Sequence, residues 1–563
     1  MATSSSTSST ILQWQAVGQA KREAVSALLP REWRVDPIPA PEELRDATSY
    51  AEQFLTAEEK EITGTLSAAA LLDRIAKGQL TAVQVTKAFC HRATIAHQLT
   101  NCLSEVVFNQ AIADAEALDA AYKRHGKVVG PLHGLPVSLK DQFRVKGTDT
   151  SLGYVGWLGN KETADSESWI VQQLRRLGAI IFVKTNVPPG LMTIETNNNI
   201  IGYTLNAANR LLSSGGSSGG EGALIAAGGS ILGLGSDVAA SIRLPSALNG
   251  IVGLRPSHGR IPYLGVANSM IGHETIESVI GPMGRCVADL RLLVQAILGA
   301  EPWRADPKVL RLPWRECEER EAREKLASKK LTFGILRNDG FVTPHPPVKR
   351  VVDEAVRKLE ARGYEVIEWA PPAHSEGFGI AWSAFSADGG KDIHSQLSLS
   401  GEPAVPDLAM NFGNKPGHLR ANETVNELWD TQRRRYEYQA RYLQYWESTA
   451  AQTSTGEPVD AILVPVAPTV GYERGKGLYP GYTAVYNVLD YSAAVVRAGR
   501  ADAARDLPYD EFEPQGDLDA AIQAHYDPNL FHGGPIGLQV VCRRLEEEKV
   551  LTIAEEVDMV LRA

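Results

Sequence analysis

Three segments of this chain carry hydroxyl and amine groups in settings that suit acyl chemistry without a histidine. The first is Ser213-Ser214-Gly215-Gly216-Ser217-Ser218-Gly219-Gly220-Glu221-Gly222, followed at once by apolar runs at residues 223–227 and 231–235. Its composition matches a flexible linker, yet a linker does not run directly into a buried helix and strand. Dense glycine inside a core instead lets backbone approach backbone or a ligand closely. Residues 215–219 also match GxSxG, which would make Ser217 a nucleophile on a strand-to-helix elbow; that reading needs a strand before it, and residues 203–213 do not resemble one. The second segment is Gly235-Ser236-Asp237-Val238-Ala239-Ala240-Ser241-Ile242-Arg243-Leu244-Pro245, with Ser241 placed 241 − 217 = 24 residues after Ser217. The third, Gly134-Leu135-Pro136-Val137-Ser138-Leu139-Lys140-Asp141, ends an apolar strand on a lysine. Burial disfavours the charged amine, so the pKa of such a lysine falls and it can serve as a base. Two serines and one lysine then form a relay that replaces the histidine of a Ser–His–Asp arrangement.

The elements that must hold these groups follow from hydrophobic spacing. Helical periodicity runs through residues 66–76, 82–97 and 111–124. Strand-like runs at 135–139 and 179–183 flank a helix at 166–177, and a short helix at 223–227 precedes the 231–235 strand. A charged connector spans 301–330. Strands at 331–336 and 364–370 flank a helix at 348–362, a long polar helix covers 423–448, and strands at 460–465 and 536–542 lead to a helix at 546–561. Such alternation predicts an α/β fold with a parallel or mixed sheet covered on both faces. Residues 403–420 and 500–519 read as surface loops.

Composition removes several function classes. With 563 residues, 44% hydrophobic and 22% charged, the chain can bury a large core without disulfide or metal staples. Its net charge of 57 − 67 = −10 argues against nucleic acid or an anionic membrane as partner. The twelve histidines form no HExxH, and neither a Walker A sequence nor a strand–GxGxxG–helix is present, so no metal or cofactor is expected. Cys90, Cys102, Cys286, Cys317 and Cys542 are odd in number and contain no CxxC, which fits reduced structural thiols. Residues 1–10 lack the basic start of a signal peptide, residues 223–235 are too short and glycine-rich to span a bilayer, and the last four residues match no retention signal. The expected location is cytoplasmic.

At these motifs the chain resembles the amidase signature family, in particular its fungal acetamidase-like branch. The resemblance runs over roughly residues 66–561 and includes Gly250-Ile251-Val252-Gly253-Leu254-Arg255-Pro256-Ser257 and Gly537-Leu538-Gln539-Val540-Val541-Cys542-Arg543-Arg544. It implies an α/β/α sandwich around one large mixed β-sheet. Residues 1–65 would form an N-terminal helical extension and 66–563 the signature domain, with its signature core at about 130–290.

The resemblance further implies that Ser241 forms an acyl-enzyme while Ser217, on a cis peptide bond, bridges it to Lys140. Backbone N–H groups of Val238, Ala239, Ala240 and Ser241 would form the oxyanion hole, and Asp237, Arg243 and Ser218 would support the turn structurally. Gly216, Leu191, Met192 and Thr193 fall in stretches that line the substrate site in relatives such as fatty acid amide hydrolase. Aromatic residues at 382–385 and 482–491 would form the pocket's outer wall. The implied reaction is hydrolysis of a small-molecule carboxylic amide without cofactor; a homodimer follows by family analogy only.

One departure stands out, because most relatives carry two glycines where this chain has Ala239-Ala240. Alanine keeps the N–H donors but is strained wherever φ is positive. A tolerated swap and a reshaped hole with weak or absent hydrolysis are both open at this point. So are an acyltransferase or esterase using the same acyl-enzyme in a biosynthetic pathway, and a silent homologue that binds an amide or a protein. A glutaminase subunit of a tRNA-amidating complex ranks last, since no docking tail is visible.

Overall fold

In the computed structural model, which describes residues 5–563, the strand-forming runs join into one eleven-stranded sheet. Residues 1–4 of the expected N-terminal extension lie outside the described residues. The strands are β1 (Leu103–Val106), β2 (Pro136–Lys140), β3 (Ile180–Thr185), β4 (Leu232–Asp237), β5 (Val252–Arg255), β6 (Val279–Gly284), β7 (Thr332–Ile335), β8 (Glu365–Glu368), β9 (Ala461–Pro465), β10 (Ala493–Arg500) and β11 (Pro535–Val541). They lie in the order β1-β3-β2-β4-β6-β5-β10-β11-β9-β7-β8. β2 pairs parallel with β3 and β4, and β7 parallel with β8 and β9; the other pairs are antiparallel.

Every residue of β2, β3, β4, β9 and β11 is buried, so helices must cover both faces. The architecture is the α/β/α sandwich around one mixed sheet. At one edge, β8 is only partly buried and carries Glu365 and Glu368, charges that discourage further strand pairing. The N-terminal helix Ser5–Leu28 is tied to the sheet by Lys21, which pairs with Glu105 of β1 and with Asp149 at 2.8 Å. Among the described residues no helix is long and apolar enough to cross a membrane.

Most expected elements appear within a few residues of their expected limits, and two differ for physical reasons. The segment 403–420 contains a helix, Pro406–Phe412, in place of an open loop. Proline at its first position suits a helix start, and Leu408 and Phe412 are buried in a cluster with Leu152 and Leu191. The short helix after the Gly/Ser segment begins at Gly219, four residues before Ala223, and spans Gly219–Ala226. Its leading glycines serve close approach: a Cβ on Gly220 would sit 2.4 Å from the Asn186 nitrogen and 2.6 Å from the Cys102 carbonyl oxygen. Gly220→Ala is therefore expected to destabilise the protein by about 1–3 kcal/mol through overpacking, despite alanine's better helix propensity. Urea denaturation of the variant checks this.

Candidate active site

The parallel pairing of β2 with β4, in register at Ser138–Gly233 and Leu139–Leu234, brings two strand ends side by side. Ligand sites of α/β sheets form at such carboxyl ends. Here β2 ends on Lys140 and β4 on Ser236 and Asp237. Lys140 is fully buried, and its Nζ donates to Ser217 Oγ at 2.8 Å and Ser236 Oγ at 2.9 Å. Ser236 in turn donates to Gln142 Oε1, and Gln142 Nε2 donates to Tyr263 Oη and the Ala267 carbonyl. Burial pulls the Lys140 pKa down from 10.5 to about 7, against the opposing pull of the Asp237 and Glu221 charges.

Glu221, buried in the first turn of the helix Gly219–Ala226, accepts from Ser138 Oγ at 2.7 Å and Thr185 Oγ1 at 3.1 Å. Burial raises its carboxyl to about 7, and its hydrogen bonds and the Lys140 charge only partly oppose this.

The depressed lysine pKa has a stability signature. Between about pH 7 and 10.5 the unfolded chain holds a proton on this amine that the folded protein has released. Folding is then favoured progressively as pH rises through that window. The stability difference between wild type and Lys140→Met should grow in favour of wild type over the same range, measured by denaturant titration at several pH values.

The turn that carries Ser241 is built on one buried ion pair. Asp237 Oδ2 accepts the N–H groups of Ile242 (3.1 Å) and Arg243 (3.3 Å) and Arg243 Nε (3.0 Å). Its Oδ1 accepts Arg243 Nη2 and Asn487 Nδ2, each at 2.9 Å. Burial would raise this carboxyl, but the Arg243 charge and the hydrogen bonds from Arg243 and Asn487 outweigh it and hold the pKa at about 2. Arg243 also donates to the carbonyls of Ala239 (3.1 Å) and Thr483 (2.9 Å). The Ala240 carbonyl accepts from Leu244 N–H at 2.7 Å.

In a trans peptide plane the C=O and N–H point in opposite directions. Pinning the Ala239 and Ala240 carbonyls this way turns the N–H groups of Ala240 and Ser241 to the other side. Among the described residues, none of the N–H groups of Val238, Ala239, Ala240 and Ser241 donates to the protein. Neither alanine adopts positive φ, so the swap from glycine carries no backbone penalty.

The Gly/Ser segment closes the site from the other side. The Gly216–Ser217 peptide is cis. No strand leads into Ser217, which removes the elbow reading. Ser218 N–H donates to the Ser241 carbonyl at 3.1 Å, fastening this segment to the turn that carries Ser241. Ser217, Ser236, Val238 and Ser241 line one side of a narrow recess with a cavity volume of about 30 Å³. Ser241 is 6% exposed, and its hydroxyl has no hydrogen-bond partner among the described residues. Gly190, Leu191 and Met192 form a second side.

Thr193 and Gly216, expected against substrate, do not line the recess. The backbone turns at Leu191 (φ 62°), and the Thr193 hydroxyl donates to the Glu195 carbonyl at 2.7 Å. Gly216 is packed against the Glu195 backbone, where a Cβ would come within 2.7 Å of its carbonyl oxygen. The aromatic residues expected at the pocket's outer wall do not line the recess itself. Tyr482 donates to the Val342 carbonyl at 2.6 Å, Trp382 lies against Phe412, and Phe385 sits behind His273. In their place, residues between 268 and 278, among them Met270, His273 and Ile276, form the third side.

A family model described as Amidase matches residues 84–551. The chain belongs to the amidase family. This amidase is similar to the acetamidase of Aspergillus oryzae, 44% identical over 550 residues that cover 97% of this chain and 99% of that one. It is also similar to the acetamidase of Emericella nidulans, 43% identical over 548 residues covering 97% and 98%. Among solved structures it matches a fatty acid amide hydrolase with a TM-score of 0.92 at 33% identity, over 99% of this chain and 96% of the other. The amidase is thus a hydrolase of the amidase signature type, with a fungal acetamidase-like sequence.

Proposed function

We propose that this amidase hydrolyses a small carboxylic amide to acid and amine or ammonia through an acyl-enzyme on Ser241. The observation that carries the reading is the Lys140–Ser217 contact of 2.8 Å beside a recess that also exposes Ser241. Ser236 commits its single proton to Gln142, so its lone pair receives an N–H of Lys140. The lone pair of the neutral amine is then free to take the Ser217 proton as Ser217 takes that of Ser241.

Ser241 Oγ bonds to the amide carbon, and the unpaired N–H groups of the turn receive the oxyanion. When the C–N bond breaks, the proton returns through Ser217 to the leaving nitrogen. Water repeats the sequence on the ester and releases the acid. The small recess and the similarity to acetamidases support a short aliphatic acyl group. The negative φ at Ala239 and Ala240 removes the reason for reading the chain as a silent homologue.

The test is labelling with a fluorophosphonate probe, peptide mapping and a Ser241→Ala control. The expected adduct is on Ser241 and disappears in the variant, and ammonia is released from acetamide by wild type only. An adduct on Ser217, or none on a well-folded sample, would overturn the relay.

A further inference from the structure

A second cavity, of about 620 Å³, shares no lining residue with the catalytic recess. Its size falls in the range of sites for metabolite-sized ligands, about 300–1,000 Å³. Four arginines line it: Arg255, Arg435, Arg543 and Arg544.

The carboxylates that line it are already engaged. Asp490 accepts from Arg255 Nη2 (2.8 Å), Arg544 Nε (2.7 Å) and the His258 N–H (2.8 Å). Glu277 pairs with His258 and Lys308, Glu274 with Lys308 at 3.0 Å, and Glu546 with Arg543 at 3.1 Å.

Arg435 is different. Its Nε donates to the Val488 carbonyl at 3.0 Å, and its two terminal nitrogens have no partner among the described residues. Burial lowers its pKa, and the charges of Arg255 and Arg544 add to this against an opposing pull from Asp490. Beside it Arg255 is 1% exposed, and its buried Nε also lacks a partner. The cavity therefore offers guanidinium donors in excess of the acceptors the protein supplies.

We propose that this cavity is a second ligand site, taking a small organic acid whose carboxylate is gripped by Arg435. A guanidinium presents two parallel N–H groups that match a carboxylate, and such charge-assisted pairs are among the stronger polar contacts. The site also has a route to the nucleophile turn. The Val488 carbonyl holds both Arg435 and Gln439 Nε2 (2.8 Å), and the adjoining Asn487, which lines the cavity, bonds Asp237 and Arg243. An acid that draws on Arg435 loads the end of the helix that carries Asn487. The acid released by amide hydrolysis and an unrelated organic acid share this chemistry.

Isothermal titration of the full chain with citrate, acetate and inorganic phosphate, at constant ionic strength near neutral pH, separates them. The expected result is saturable one-to-one binding of a carboxylate that persists in Ser241→Ala and weakens about 10-fold or more in Arg435→Gln. Arg435→Lys should lose less, because it keeps the charge without the fork. Arg544→Gln, at a half-exposed position, should weaken binding too and serves if Arg435→Gln melts early. Acetate binding assigns the site to the product class, and binding of citrate alone assigns it to an independent acid. No saturable carboxylate binding, phosphate binding alone, equal affinity in folded Arg435→Gln, or loss of binding in Ser241→Ala would each overturn the proposal.

Discussion

Replacing Lys140 by methionine is expected to lower kcat/KM for amide hydrolysis by about 10²–10⁴-fold, the range that a positioned base supplies. Methionine fills much of the same buried space while removing the amine that sits 2.8 Å from Ser217 Oγ. The pH profile separates loss of a base from general damage. With its pKa drawn by burial to about 7, Lys140 is a cation below that pH and cannot accept the Ser217 proton. Wild-type kcat/KM should climb about tenfold per pH unit up to about 7 and then level, whereas the variant stays flat across that limb. Glu221→Gln provides the control. Its carboxyl, itself raised to about 7, is ionised only on the upper part of the limb, where its charge favours the charged amine, so removing it moves the midpoint modestly to lower pH. Ammonia-release rates for the three proteins across the neutral range decide the matter. A Lys140→Met enzyme that kept the wild-type rate and limb would remove this residue from the chemistry.

The legibility of the site in the sequence follows from where each contact comes from. Lys140 is readable because a lysine closing the run Leu135-Pro136-Val137-Ser138-Leu139 must be buried with its strand. Ser217 and Ser241 are readable because glycine and small residues crowd around them. Part of the sheet is readable as well, since strands buried on both faces are continuous apolar runs; β1, β5, β6 and β10 are not, being short or interrupted by glycine, proline or charge.

What escaped sequence reasoning is long-range. Ser236 meets Gln142 across 94 positions, and Asn487 meets Asp237 across 250. No local pattern marks Asn487, which lies within an apolar helix. The third side of the recess comes from residues 268–278, which carry no regular periodicity, so neither a helix nor a strand signal could have pointed there. Thr193 has a residue type that suits a substrate contact, yet its hydroxyl donates to the Glu195 carbonyl, two residues after a positive φ at Leu191, a local fold that residue type alone does not reveal. The early start of the helix at Gly219 has a similar cause, because glycine's poor helix propensity yields to the contacts that only a residue without Cβ can make.

Arg243→Met is expected to destabilise the protein by about 3–5 kcal/mol, the cost of leaving one member of a buried ion pair without its partner. The arginine and Asp237 are both fully buried, and the guanidinium joins Asp237 to Asn487, Thr483, Gln539 and the Ala239 carbonyl. Acid sensitivity gives the sign. Asp237 ionises near 3.8 in an unfolded chain and near 2 in the fold, so its contribution is present above 3.8 and is lost as pH falls toward 2. Without Arg243 the folded carboxyl rises, and acid unfolding should begin at higher pH than in wild type. The double variant Asp237→Asn/Arg243→Met should be less destabilised than the sum of the two single changes, because no unpaired charge remains. Catalysis should fail separately from stability. Once the Ala239 carbonyl is released, the peptide that follows is free to rotate and the Ala240 N–H, a proposed oxyanion donor, is no longer fixed. Loss of one such donor costs about 10²–10³ in rate. That loss should therefore persist in Arg243→Met at temperatures and denaturant-free conditions where the variant is fully folded. A folded Arg243→Met with undiminished kcat would mean that the turn holds its donors without the guanidinium, and that the buried pair serves the fold alone.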